Sequence, residues 1–229
     1  MLELSKRLSL IANLVKEGSS VCDVGTDHGY LPAFLYLSRR CKSVCATDIN
    51  EKPLDSARKN LERFGADGVK LVLCDGLAGV TRADADTVII AGMGGEVISG
   101  IIDRANFLRD ETVSLVLQPT TAAKELRVYL SQKGFAVEDE IALQENGKIY
   151  SIMQVRFTGK PYKISDAQAV IGLLKPTSDD SRAYINKQCT IAQKCKTQLK
   201  FAKDKQKEYE HYFKLSEELK DILGGKNGI

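Results

Sequence analysis

Hydrophobic residues follow two periods along this chain. Between residues 20 and 157, short apolar runs alternate with segments in which apolar residues recur every three or four positions. The runs predict buried strands and the longer period predicts amphipathic helices, so we expect a mostly parallel sheet with helices on both faces. A further helix precedes the first strand, and its Arg7, which lies off the apolar stripe, is expected to face solvent, with contact to a ligand as the alternative.

The first predicted strand runs straight into a turn that contains two glycines. Residues 21–24 form the strand, Gly25 and Gly29 follow, and an apolar helical pattern begins at Tyr30. In doubly wound sheets, a strand, a glycine turn and a helix in this order bind nucleotide-like cofactors. A tight turn that binds nothing is the alternative interpretation.

Asp27 stands where the dinucleotide-binding fingerprint has its second glycine. A carboxylate at that position repels phosphate and favours a cationic ligand. S-adenosylmethionine has an adenosine half, a sulfonium and an ammonium group, and it carries no phosphate. The sequence therefore predicts S-adenosylmethionine as the cofactor.

Acidic residues also end the neighbouring strands. Asp48 ends the second predicted strand, 23 residues after Gly25, where a carboxylate accepts hydrogen bonds from ribose hydroxyls. An N-cap for the next helix is the alternative role of Asp48. Asp75, followed by Gly76, ends the third strand. We expect one negative crevice that suits a cationic cofactor, lined by Asp23, Asp27, Asp48 and Asp75.

A second glycine turn follows the fourth predicted strand. Met93 lies among Gly92, Gly94 and Gly95, and a helix is predicted from residue 96. This strand is expected beside the first one, where the strand order reverses, so we expect the turn to contact the substrate. A purely structural turn is the alternative.

The hydrophobic pattern changes near residue 160, and we place a domain boundary there, between residues 1–159 and 160–229. Residues 179–223 are almost entirely helix-forming, with a polar interruption at 203–207, which predicts an antiparallel helical hairpin. Residues 1–159 carry 19 Lys and Arg against 21 Asp and Glu, whereas residues 160–229 carry 14 against 9. The positive tail is compatible with RNA as a partner, or with a solvated lysine-rich helix.

The composition further narrows the classes of protein to which the chain can belong. The chain has 229 residues, 43% of them hydrophobic, with no apolar run long enough to cross a membrane and no signal-peptide pattern. We therefore expect a cytoplasmic protein without a membrane partner. Its six cysteines form no C-x-x-C pair, which indicates reduced thiols and neither a metal site nor a disulfide framework.

Six short segments carry a further signal through their order and spacing: LSKRL (4–8), DVGTDHGYLP (23–32), TDIN (47–50), CDGL (74–77), IAGMGG (90–95) and QP (118–119). Together they resemble the TrmK family, the bacterial tRNA adenine-22 N1-methyltransferases. The resemblance covers residues 1 to about 158. It implies a class I methyltransferase domain, with a Rossmann-like seven-stranded sheet whose last strand is antiparallel, followed by a helical, coiled-coil-like tail. Asn146-Gly147, a strong hairpin signal between two strand patterns, agrees with this ending.

The resemblance also suggests a role for each motif residue. Gly25 is expected to let the backbone approach the cofactor, and Asp27 to face its amino-acid part. Asp48 is expected to bind ribose and Ile49 to pack on adenine, while Asp75 and Gly76 read the adenine edge. Met93 and Gly94 are expected to wall the position of methyl transfer.

Asp27 and His28 are the candidate catalytic residues. Asp27 would stabilise positive charge on the methylated purine or accept a hydrogen bond from its N6 amine, and His28 would orient the purine or relay a proton. A turn residue bonded to backbone is the alternative for His28, which is also counted among the cofactor-binding candidates.

The partner that the resemblance implies is tRNA. Candidate phosphate contacts lie in the tail: Lys187, Lys194, Lys200 and Lys203. A methyltransferase acting on a small molecule or a protein is the first alternative function, and a non-catalytic S-adenosylmethionine-binding protein is the second. A nicotinamide-dependent dehydrogenase agrees poorly with Asp27 and the terminal hairpin.

Overall fold

The computed structural model describes residues 2–202 and 204–225. They divide into two compact units, one made of residues 2–139 and 152–162, the other of residues 140–151 and the described residues from 163 onward. The domain boundary between residues 159 and 160 stays a prediction, and residues 140–151 group with the C-terminal helices.

Helices and strands alternate along most of the chain, as the hydrophobic periods predict, except that the third and fourth strands and the last two strands follow each other without a helix. In chain order they are α1 (Lys6–Leu14), β1 (Ser20–Val24), α2 (Tyr30–Leu37), β2 (Ser43–Asp48), α3 (Glu51–Phe64), β3 (Lys70–Leu73), β4 (Thr87–Gly94), α4 (Gly95–Arg104), a 3-10 turn (Asn106–Arg109), β5 (Ser114–Thr121), α5 (Ala123–Gln132), β6 (Phe135–Glu145), β7 (Lys148–Phe157), α6 (Asp166–Ile171), α7 (Asp179–Leu199) and α8 (Gln206–Leu223).

The seven strands form one sheet in the order β3-β2-β1-β4-β5-β7-β6. Strands β1 to β5 run parallel to their neighbours, and β7 runs antiparallel to β5. The predicted Rossmann-like sheet with an antiparallel last strand is therefore confirmed. The strand order reverses between β1 and β4, and both strands end in the glycine turns, so the two turns meet at the carboxyl edge of the sheet.

The central parallel strands β1, β2, β4 and β5 are largely buried on both faces, whereas the edge strand β3 is partly exposed. In β4, Val88 and Ile90 join one apolar core with α4 and α5, whereas Ile89 joins the other core with α1, α2 and α3. A strand that is covered twice has no polar face, which explains the uninterrupted Val-Ile-Ile sequence.

The second unit contains the predicted helical hairpin. Cys189 lies beside Ser216, and Cys195 beside Tyr212, so α7 and α8 run antiparallel. Their shared core contains Tyr184, Ile185, Cys189, Ala192, Leu215 and Leu219. The apolar pattern of α7 also predicts Ile191 on one buried stripe with Tyr184 and Cys195, but Ile191 falls outside this core and is 44% exposed, so that prediction is wrong.

Asp23 is buried within β1, with 7% of its surface exposed. Burial raises the pKa of the Asp23 carboxyl from its usual value near 3.8 to about 6, although the hydrogen bond with Thr26 and the charge of Arg7 act in the opposite direction. The expectation that all four strand-end aspartates face an open crevice is therefore wrong for Asp23.

Because its pKa is higher in the folded chain than in the unfolded chain, Asp23 makes stability depend on pH. The folded state retains this proton more tightly, so the free energy of unfolding falls as the pH rises from about 4 to about 7, by about 3 kcal/mol from this group alone. Urea denaturation across this range measures the effect. Asp23→Asn has no proton to lose and is expected to lack this component, so parallel profiles for the two proteins would contradict the assignment.

Candidate functional site

The turn after β1 brings two of the predicted site residues into contact. Gly25 has a φ of +77°, and a Cβ atom there would overlap the Met93 Cε atom, so only glycine leaves room for this side chain. Met93 belongs to the second glycine turn, where β4 shifts register against β5. The two turns are therefore adjacent at the carboxyl edge of the sheet.

Backbone hydrogen bonds connect the ends of β1, β2 and β3. The amides of Gly25 and Thr26 both donate to the Thr47 carbonyl oxygen, at 2.8 and 3.0 Å. The Thr47 hydroxyl in turn donates to the Gly76 carbonyl oxygen at 2.8 Å. The predicted positions Gly25 and Gly76 are thus set by one connected network, and Asp48 directly follows its central residue, Thr47.

Asp48 starts the turn into α3. Its Oδ1 atom accepts a hydrogen bond from the Asn50 amide at 2.7 Å, but the N-cap of α3 is Asn50, so the alternative N-cap role of Asp48 is wrong. Within the described residues its other carboxylate oxygen has no protein partner and remains available to a ligand. The adjacent Ile49 side chain is 62% exposed, which leaves an apolar surface at this edge.

Asp75 is tied to the following helix. The Arg104 guanidinium on α4 donates to its carboxylate at 3.1 Å, and both side chains are more than half exposed. A role at the adenine edge therefore has to coexist with this ion pair. Gly76 lies against Ile101 of the same helix.

Asp27 and His28 form a pair at the tip of the first turn. The His28 Nε2 atom lies 3.2 Å from Asp27 Oδ2, with the two side chains 53% and 76% exposed respectively. The Asn60 side chain on α3 donates to the His28 carbonyl oxygen at 3.0 Å and so fixes the backbone of the turn. The pair is exposed to solvent and close to both Gly25 and α3.

Gln118 holds the second glycine turn in place. The sequence predicts no role for it, although it belongs to one of the six family segments. Its side chain is fully buried, and its Oε1 atom accepts from Arg7 Nη1 at 2.8 Å and from the Gly92 amide at 3.2 Å. The expectation that Arg7 faces solvent is therefore wrong. A polar residue inside an apolar strand is the available signal, because a buried amide requires partners.

Three of the four predicted phosphate-contacting lysines are exposed on α7 or at its end, namely Lys187, Lys194 and Lys200. Lys203 lies outside the described residues. The Lys200 ammonium lies 5.5 Å from the ring centre of Phe201, which is 85% exposed.

A cavity of about 410 Å³ lies at the opposite, amino edge of the sheet, lined by residues that include Ser19, Thr87 and Ser114. The arginines in its wall are engaged with acids, Arg156 with Glu138 and Arg82 with Asp110. The candidate site is therefore the edge with the two glycine turns and not this cavity.

No described helix combines the length and apolar character needed to span a bilayer. Among the described residues, no group of three or more His, Cys, Asp or Glu side chains is placed to hold a metal ion.

Comparison with known proteins identifies the family. Residues 4–153 match the family described as "Methyltransferase domain". A tRNA (adenine(22)-N(1))-methyltransferase of Bacillus subtilis (strain 168) is 33% identical over 153 residues, which cover 66% of this chain and 64% of that protein. The aligned part is thus less than two thirds of the length of this relative.

Solved structures extend the similarity to nearly the whole chain. The crystal structure of Streptococcus pneumoniae Sp1610, named a candidate tRNA (m1A22) methyltransferase, has a TM-score of 0.84 and 30% identity and covers 96% of this chain and 100% of that one. The same protein in complex with S-adenosyl-L-methionine has a TM-score of 0.78 and 32% identity, with coverage of 96% and 100%. These matches confirm the resemblance carried by the six motifs: the chain belongs to the TrmK family of methyltransferases.

Proposed function

We propose that this chain transfers a methyl group from S-adenosylmethionine to N1 of adenine 22 in tRNA. The contact between Gly25 and Met93, beside the Asp27–His28 pair, carries this proposal, because it joins the cofactor-type turn to the expected position of methyl transfer. Membership of the TrmK family supports the choice of substrate, and tRNA as substrate implies the cytoplasmic location that the sequence predicts.

The residues at the carboxyl edge fit the cofactor. Gly25 leaves room for Met93 beside the turn, Asp48 has a carboxylate oxygen available for a ribose, and Ile49 presents exposed apolar surface to an adenine ring. Asp75 and Gly76 would border the adenine edge, and Met93 with Gly94 would wall the reacting end. When bound, S-adenosylmethionine supplies a methyl group activated by a positively charged sulfur atom.

Asp27 selects against phosphate in this proposal. Its carboxylate is 76% exposed at the tip of the turn, so a pyrophosphate laid against Gly25 would meet a like charge there. A ligand with an ammonium group and a sulfonium meets an opposite charge at the same place. The turn thus favours S-adenosylmethionine over a dinucleotide.

The proposed methyl transfer requires little proton transfer by the protein. Neutral adenine has a lone pair at N1, so the chain's main task is to orient the base, which can supply much of the rate acceleration. Methylation places positive charge on the purine, and we assign its stabilisation to Asp27. His28, 3.2 Å from Asp27, positions that carboxylate.

The substrate atom is tested with an unmodified tRNA incubated with the protein and S-adenosylmethionine, followed by primer extension. A methyl group at N1 blocks base pairing, so reverse transcription is expected to stop at adenine 22. The matched control is the same tRNA with another base at position 22, which should give no stop there. If primer extension on the adenine-containing tRNA still gives the full-length product after this incubation, the proposed activity is refuted.

Asp27→Asn keeps the size of the side chain and removes its charge. We expect a fall in single-turnover rate of about 100- to 1,000-fold, the size seen when a group that stabilises transition-state charge is lost. His28→Gln is expected to have a smaller effect that is not additive with Asp27→Asn, because the two side chains are in contact. Asp67→Asn, at an exposed acid between α3 and β3, is the matched control and should retain the wild-type rate.

The lysines of α7 are proposed to hold tRNA phosphates. N1 is occupied in a Watson–Crick pair, so the adenine must be unpaired or flipped, at a cost of about a few kcal/mol. Contacts from Lys187, Lys194, Lys200 and Lys203 to phosphates would offset that cost. The exposed positions of the first three support this role.

Phosphate contacts make tRNA binding depend on salt. Lys187→Gln/Lys194→Gln is expected to weaken binding at low salt and to lower the slope of log K against log salt by about 2, roughly one unit for each phosphate that is no longer neutralised. Lys16→Gln/Lys42→Gln removes the same charge from two exposed lysines of the first unit and is the control. Equal slopes for the two double variants and the wild type, measured by filter binding, would rule out this role.

A further inference from the structure

A row of aromatic side chains leads away from the first glycine turn. The His28 and Tyr30 ring centres lie 5.7 Å apart, and the Tyr30 and Phe64 ring centres 6.3 Å apart. The Arg63 guanidinium carbon lies 5.7 Å from the centre of the Phe64 ring. We call these four residues the aromatic track.

The track begins at the proposed active site, and its members are exposed except for Phe64, which is partly buried against the apolar core. Tyr30 is 40% exposed, although it is the first residue of α2 and sits directly after the turn. Asn60 bonds the His28 carbonyl oxygen, which holds the start of the track against α3. The sequence pattern counted Tyr30 only as the start of an apolar helix, and this exposure is what sets it apart.

Positive charge lies along the same helix. Lys59 and Arg63 are one helical turn apart on α3 and both are exposed. In the described part of the chain neither forms an ion pair with an acid, whereas their neighbour Arg58 pairs with Asp55. Exposed aromatic rings beside such cations form the kind of surface that binds unpaired nucleic acid, with bases on the rings and phosphates on the cations.

We propose that the aromatic track is the stacking platform for the unpaired nucleotide that adjoins the acceptor adenine in the RNA. The assignment rests on the proposed function and deepens it, since it names the surface that receives the opened RNA. Drawing the adenine out of the RNA helix breaks its stacking with the adjoining base. Tyr30, with the exposed part of the Phe64 ring, replaces part of that stacking, and Arg63 continues the platform through its planar guanidinium.

Tyr30→Leu tests the platform by removing the central ring. Because a base stacked on an aromatic ring adds to the binding free energy, loss of the Tyr30 ring is expected to weaken tRNA binding about 5- to 150-fold. Binding of S-adenosylmethionine should not change, and Tyr30→Phe should restore tRNA binding. Tyr36→Leu is the matched control, because Tyr36 lies on the same helix with 38% exposure but packs against Gly68.

A modified RNA separates stacking from a general structural effect. A tRNA that lacks the base next to adenine 22 should bind the wild-type protein more weakly, yet it should bind Tyr30→Leu no more weakly than the intact tRNA does. Independent, additive losses would overturn the proposal. So would a loss of S-adenosylmethionine affinity in Tyr30→Leu that accounts for its whole defect.

The chain has no tryptophan, so Tyr30→Trp provides a single fluorescent ring at the same place. Its emission is expected to be quenched by single-stranded RNA and to be unaffected by a fully paired duplex. This measurement needs no methyl transfer. If the wild-type protein fails to methylate tRNA, the proposed function falls, and an unquenched Tyr30→Trp would separately overturn the platform.

Discussion

The buried amide of Gln118 fixes the geometry on which the candidate site depends. Its carbonyl oxygen accepts hydrogen bonds from Arg7 on α1 and from the Gly92 amide, while its amino group donates to the Pro119 carbonyl oxygen at 2.9 Å. Leaving any of these buried groups unsatisfied would cost about 1–3 kcal/mol. The turn that contains Met93 is therefore held by the fold, although its glycines alone would make it pliable, and Met93 in turn reaches Gly25.

Negative charge at the carboxyl edge is divided more unevenly than four strand-end aspartates suggest. Asp23 is buried near Arg7, and Asp75 is bound to Arg104. The open charge near the first turn therefore belongs mainly to Asp27 and Asp48. In the proposed function, preference for a cationic cofactor rests on these two side chains, and Asp27 is the one that a phosphate laid against the first turn would meet.

The sequence predicts features that repeat, and it misses those that depend on one contact. Periodic apolar residues reveal the strands and helices, and Asn146-Gly147 reveals the hairpin, because each follows from local geometry. The link from Arg7 to Gln118 spans 111 positions and leaves no local pattern. Ile191 looked like a core residue because apolar character alone does not show which face of a helix meets its partner. The exposure of Tyr30 was hidden for the same reason.

The proposed reaction makes access to the base harder than the chemistry itself. Adenine N1 needs no deprotonation before it is methylated, so a single exposed Asp27–His28 pair is sufficient for the proposed chemistry. Opening the RNA, in contrast, costs free energy that contacts with the protein must offset. Lysine contacts with phosphates add affinity without distinguishing one nucleotide from another. Selection of one adenine must therefore come from groups that meet bases, and the aromatic track begins at the turn where the acceptor is proposed to lie. In the proposed reaction the discrimination therefore belongs to the first unit, and the lysines of α7 contribute affinity.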